Sequence, residues 1–111
     1  MIAYTVRCTF REQATADEWV AWLDRAHIAD VMGGGAIGAE VIRLDGDSIS
    51  YEVRYRFRSR RSFELYERIH APRLRAEGLE RFPLELGLSY ERSVGEIVCS
   101  RRAGAGGSEV D

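Results

Sequence analysis

An α+β domain of strand–helix–strand–strand–helix–strand order is predicted by three observations. Residues 2–10 and 48–58 alternate between apolar and polar side chains, the period of a half-buried strand. Two longer stretches, about 16–32 and 59–78, repeat their apolar residues at helical spacing. Glycine and proline punctuate the boundaries between these segments.

In the first strand Ile2, Tyr4, Val6, Cys8 and Phe10 share one face, and Ala3, Thr5, Arg7 and Thr9 the other. Thr15 followed three residues later by Glu18 has capping-box spacing and is expected to open the first helix. At about 100° per residue Trp19, Val20, Trp22, Leu23, Ala26 and Val31 fall on one arc, with His27 and Asp30 inside it. Gly33, Gly34 and Gly35 stop that helix. A second strand at about 36–44 meets the third, 48–58, through the turn Asp45-Gly46-Asp47. Ile49, Tyr51, Val53, Tyr55 and Phe57 face in, while Glu52, Arg54 and Arg56 face out.

Ser59 or Ser62 caps the second helix, which carries Phe63, Leu65, Tyr66, Ile69, His70 and Leu74 toward the core. Pro72 forces a break near residue 70 and suits the first position of a short helical piece that Gly78 closes. A last strand is expected at about 84–98, with Leu84, Leu86, Leu88, Tyr90 and Val94 on one face and Glu85 and Glu91 on the other. With right-handed crossovers this order gives a four-stranded antiparallel sheet with both helices on one face, the ferredoxin-like fold. One domain is expected over 1–98, followed by a disordered tail over 99–111.

Composition narrows the function classes. Hydrophobic residues make up 45% and charged residues 31%, with a net charge of −2, which disfavours nucleic acid or an anionic membrane as the main partner. Every one of the 16 basic residues is arginine, so Schiff-base and P-loop lysine chemistry is excluded. Cys8 and Cys99 form no disulfide framework. With no apolar leader, they point to a reducing, cytoplasmic setting.

The two histidines carry the lead toward chemistry, because each falls on the apolar arc of its own helix. Antiparallel helices 8–10 Å apart would bring the rings within roughly 10 Å, a span suited to a small ligand between an acid and a base. His27 and His70 are therefore the candidate catalytic pair, with Asp30 one turn from His27. Trp19, Trp22 and Tyr66 would line the pocket, and Arg73 beside His70 would face an anionic ligand. The competing reading makes both histidines packing residues, lets Trp19 and Trp22 fill the core, and makes Arg73 a surface residue that snorkels.

Other motifs carry less. Gly33-x-Gly35-x-x-Gly38 matches a dinucleotide fingerprint, but a helix precedes it and a strand follows, the reverse of what the fingerprint needs. An RNA-binding sheet stacks bases on aromatics of its open face, whereas Tyr51, Tyr55 and Phe57 alternate toward the helices. No metal ligand set and no cofactor motif is present in the sequence.

Trp19-x-x-Trp22, then His27-Ile28 and a glycine-rich stop form one block. His70-Ala71-Pro72-Arg73-Leu74-Arg75 with Gly78-Leu79-Glu80-Arg81-Phe82 forms another. Over about residues 1–98 the chain resembles an uncharacterised bacterial family, domain-of-unknown-function family 4286, and through it the dimeric α+β barrel superfamily. That superfamily includes cofactor-free monooxygenases, muconolactone-type isomerases, haem-degrading enzymes and binding proteins. The three glycines after Met32 depart from the family's pattern. The resemblance implies the ferredoxin-like fold and a homodimer. Two functions follow as expectations: a cofactor-independent enzyme acting on a small apolar or aromatic molecule through His27 and His70, or a non-catalytic ligand-binding or interaction module with structural histidines.

Overall fold

A computed structural model describes residues 1–104. The elements are β1 (Ile2–Phe10), α1 (Gln13–Trp22), a π-helical turn (Leu23–His27), α2 (Ile28–Gly33), β2 (Ala36–Arg43), β3 (Ile49–Phe57), α3 (Arg60–Ile69), α4 (Ala71–Arg81), a 3-10 turn (Leu84–Leu86) and β4 (Leu88–Glu96). The strands form one antiparallel sheet in the order β2-β3-β1-β4. This is the ferredoxin-like arrangement expected from the residue pattern. The expected tail falls in part on residues 105–111, which lie outside the described residues.

The core is the apolar row of each strand packed under the helices. Phe57, Ile2, Val53 and Cys8 from the sheet meet Trp19, Leu23, Val31 and Leu74 from the helices, all at most 2% exposed. Phe10 packs edge-on against Trp19 with ring centroids 5.3 Å apart, and Phe57 against Phe63 at 5.2 Å. Ser59 caps α3 by accepting the Ser62 backbone N–H at 3.1 Å. Pro72 sits in the first turn of α4, so the break at His70 falls where proline demands it.

Three boundaries differ from expectation. The first helix begins at Gln13, ahead of Thr15, so the Thr15–Glu18 capping box does not form; Glu12 precedes the helix with no side-chain cap. Its first turn is tied down instead by the Gln13 amide, which donates to Asp17 at 2.9 Å and to the Tyr51 hydroxyl at 3.0 Å. Gly78 does not close α4 but lies inside it, where a glycine costs about 1 kcal/mol against alanine. The space it frees goes to Trp22, whose ring would lie 3.4 Å from a Cβ there. The last strand starts at Leu88, not 84; Leu84 and Leu86 belong to the 3-10 turn and are exposed, and Glu85 does not reach the sheet.

The uncovered sheet face is polar but not fully solvated. Glu52 sits between two guanidinium groups, with Arg7 at 2.9 Å and Arg54 at 2.9 Å, and its side chain is only 9% exposed. Burial alone would raise its carboxyl, but hydrogen bonds from Arg7 and Arg54 outweigh that and hold it below the usual carboxylate range. The inward register of Tyr4, Phe10, Tyr51, Tyr55, Phe57 and Tyr90 leaves no strand aromatic on this face for a base to stack on.

Candidate functional site between helices and sheet

A cavity of about 50 Å³ lies between the two layers. Its floor is Tyr4 and Val6 of β1, Val53 and Tyr55 of β3, and Tyr90 and Arg92 of β4. Its roof is Trp19 and Trp22 of α1, Leu23 and His27 of the π turn, Tyr66 of α3, and Arg75, Gly78 and Leu79 of α4. At about 10–15 Å³ per water this holds a few waters or a small functional group, well short of the ~300 Å³ of a full-sized ligand pocket. Its outer side is lined by Leu79, 46% exposed, and by half-buried Trp22.

The π turn brings His27 into this space. In an α-helix residues five apart are separated by roughly 140° around the axis, so Trp22 and His27 would point apart. The Ile28 N–H instead reaches back five residues to the Leu23 carbonyl. The extra residue in that turn lets the His27 ring stack on Trp22, with centroids 4.4 Å apart and planes 23° from parallel. Such turns recur at functional sites. Burial holds the His27 imidazole below its ordinary value; Asp30 and Glu77 pull it partly back, while Arg92 pushes it further down. At neutral pH the ring is therefore neutral, with a lone pair free to take a proton.

The other predicted residues separate into two groups. Trp19, Trp22 and Tyr66 line the same cavity as His27. His70 does not: it stacks on Tyr66 at 6.5 Å and packs where α2 ends, so close to Gly34 that a Cβ there would lie 3.0 Å from the imidazole. Gly34 is seven residues beyond His27, roughly 10 Å along a helical rod. The second histidine is thus offset toward the other end of the layer, on the far side of Tyr66. Arg73 also lies outside the cavity, paired with Glu77 at 3.2 Å on the exposed face of α4. Asp30 is exposed and acts on His27 only through its charge.

Pattern reading passed over the polar groups of the floor. Tyr4 and Tyr55 oppose each other in register and stack at 5.8 Å. Arg75 Nη2 donates to the Tyr4 hydroxyl at 3.1 Å and to Glu67 at 2.6 Å. The Tyr55 hydroxyl and the Arg75 Nε–H are buried with no partner among the described residues. Each such orphan costs about 1–3 kcal/mol. Burial pushes the Tyr66 and Tyr90 hydroxyls up to about 12 and raises Tyr55 further, so all three remain protonated donors at neutral pH. At the other end Trp19 Nε1 donates to Tyr90 at 3.2 Å. Cys8 beside it is pushed up to about 12 by burial, which removes it as a nucleophile. The available signal was the choice of tyrosine over phenylalanine at inward positions, since a buried hydroxyl needs a partner.

Among the described residues no group of three histidine, cysteine, aspartate or glutamate side chains is placed to hold a metal ion, and no helix is long and apolar enough to cross a membrane.

A family model described as a domain of unknown function (DUF4286) matches residues 1–89. No curated protein matches the sequence significantly. Solved structures share the fold at low identity. A dimeric ferredoxin-like protein from an uncultured marine organism superposes with a TM-score of 0.71 at 9% identity, over 92% of this chain and 99% of that one. A candidate antibiotic biosynthesis monooxygenase from Deinococcus radiodurans gives 0.68 at 8% identity, over 95% and 100%. The haem-degrader MhuD from Mycobacterium tuberculosis, with two haems in its active site, gives 0.64 at 14% identity, over 90% and 99%.

Proposed function

We propose that this chain, which belongs to the DUF4286 family of unknown function, takes the carbonyl end of a small apolar or aromatic compound into the cavity, with the remainder toward its outer side at Leu79 and Trp22, and removes a proton from it with His27. The observation that carries this reading is a neutral, half-buried imidazole lining the same small cavity as Tyr55 and Arg75, two residues whose donors are unpaired among the described residues. Abstraction of a proton beside a carbonyl moves charge onto the carbonyl oxygen, and donors fixed around that oxygen lower the barrier. His27 is the base. Tyr66, which stays protonated and lines the cavity, takes the acid role first expected of His70. A proton transfer of this kind is common to isomerase-like and monooxygenase-like chemistry, and the fold is shared with a candidate monooxygenase. MhuD raises haem as a guest. A macrocycle does not fit 50 Å³ under a His27 ring covered by Trp22.

The Trp22 stack on His27 favours the second reading, a binding or interaction module in which His27 is structural. Deuterium exchange separates the two. A panel of aryl ketones and 2-oxo acids in D2O, followed by proton NMR, is expected to lose C–H signal about 10²–10⁴-fold faster with protein for at least one member. His27→Gln should abolish the acceleration without unfolding the chain. Because the folded pKa is lowered, the base stays competent as pH falls through the ordinary histidine range, and the rate declines only below it. Ligand binding with no exchange on any member leaves the module reading.

The proposal extends to a homodimer through the open sheet face. The dimeric neighbour supports it, as do the short side chains Ala3 and Thr5 beside the Arg7–Glu52–Arg54 network. Sedimentation equilibrium at micromolar concentration should return the mass of two chains, and a single-chain mass would overturn it. A cytoplasmic location is part of the same reading, supported by unpaired Cys8 and Cys99.

A further inference from the structure

We infer that the molecule held in this cavity carries an anionic oxygen, a carboxylate or the enolate of a carbonyl, seated between the Tyr55 hydroxyl and the Arg75 Nε–H. The inference rests on the reading that the cavity takes a ligand and adds its chemical class. Tyr55 is 3% exposed, and among the described residues neither its hydroxyl nor the Arg75 Nε–H meets an acceptor. Glu67 does not fill that role: it takes the Nη2 end of Arg75, together with the Tyr4 hydroxyl, and leaves the Nε side open. Tyr4 accepts from Arg75, so its own hydrogen remains to be donated.

The charges around the cavity agree. Arg75 and Arg92 line it, and no carboxylate among the described residues does. A neutral, purely apolar guest would leave both orphan donors unpaired. A cation would meet the Arg92 guanidinium and could not accept from the Arg75 Nε–H. Glu67 already offsets Arg75, and an anionic oxygen with two or more lone pairs satisfies both donors and offsets the charge of Arg92. Val6, Val53 and Leu23 supply the dry surface around it, and the Trp19 and Trp22 indoles favour a flat remainder.

The test compares matched probes on the full chain: benzoate against benzamide, and acetate against acetamide, followed by the indole N–H shift of Trp19. Benzoate is expected to bind at least tenfold tighter than benzamide. Tyr55→Phe should cut that preference about tenfold while raising the melting temperature of the unliganded protein, because it removes an unpaired hydroxyl and nothing else. Arg75→Lys, which keeps the charge but loses the Nε–H, should cut it similarly. Equal binding of benzoate and benzamide, or a preference that survives Tyr55→Phe, overturns the oxyanion seat and leaves the cavity reading standing. If no probe, charged or neutral, moves the Trp19 signal, the cavity reading itself fails and this inference falls with it.

Discussion

Trp19→Ala is expected to destabilise the protein by about 3–5 kcal/mol, lowering its melting temperature by on the order of 15 °C. Trp19 is 2% exposed, packs edge-on against Phe10, and anchors the Tyr90 hydroxyl through its indole N–H. Truncation removes the largest fully buried side chain and leaves Tyr90 without its donor. The vacated volume opens into the existing cavity, so indole at millimolar concentration should recover part of the loss by binding only the folded state. The equivalent change at Trp22 is expected to cost less, about 2–3 kcal/mol, since that ring is half-buried although it packs against both His27 and Phe82. A thermal melt of each variant, with and without indole, decides the matter. A Trp19→Ala loss under 1 kcal/mol would mean that the helix layer does not depend on this contact.

The contrast between the two tryptophans bears on how far a sequence can be read. Both fall on the same ideal helical arc, and both were expected in the pocket. The arc assumes a constant 3.6-residue turn, and the π turn at Leu23–His27 breaks that assumption. Trp22 still precedes that turn, but nothing in LDRAH announces an extra residue per turn, so the position of His27 relative to Trp22 depends on packing, not on local pattern. The fold itself was legible because its signals are redundant: alternation in β1 and β3, glycine stops, and Pro72 at the start of α4 all point to one topology.

The candidate site was legible only in part. Trp19, Trp22, His27 and Tyr66 are gathered in one cavity, because each lies on an inward arc and the layers are thin enough for those arcs to meet. His70 also lies on an inward arc, but the helix break at Pro72 and the close approach at Gly34 set it against the end of α2. Arg75 was invisible for a different reason. A long side chain reaches several ångströms from its Cα, so its position on the helix does not determine where its guanidinium ends. The Arg75 Nη2 arrives at Tyr4, on a strand 71 residues away in sequence.

Gly87→Val is expected to cost about 2–4 kcal/mol, and its effect should reach the cavity. The segment Leu84-Glu85-Leu86-Gly87-Leu88-Ser89-Tyr90 keeps an unbroken period of two because the glycine occupies a polar position, so alternation alone starts the strand too early. Gly87 has φ of 89°, a left-handed geometry that costs any L side chain about 1–2 kcal/mol and a β-branched one more. A Cβ there would lie 2.9 Å from the Arg11 Cβ, and Arg11 N–H is bound to the Gly87 carbonyl at 3.0 Å, so the two backbones have no room to part. This residue ends the 3-10 turn and starts β4 in the register that pairs Tyr90 with Cys8 and Arg92 with Val6. A slip of one residue would turn Tyr90 and Arg92 from the cavity floor to the open face. The melting temperature of Gly87→Val should therefore fall by roughly 10 °C. The Trp19 indole N–H should also lose the shift that its bond to Tyr90 confers. A variant that melts within about 2 °C of the parent with that shift intact would show that β4 holds its register without the glycine.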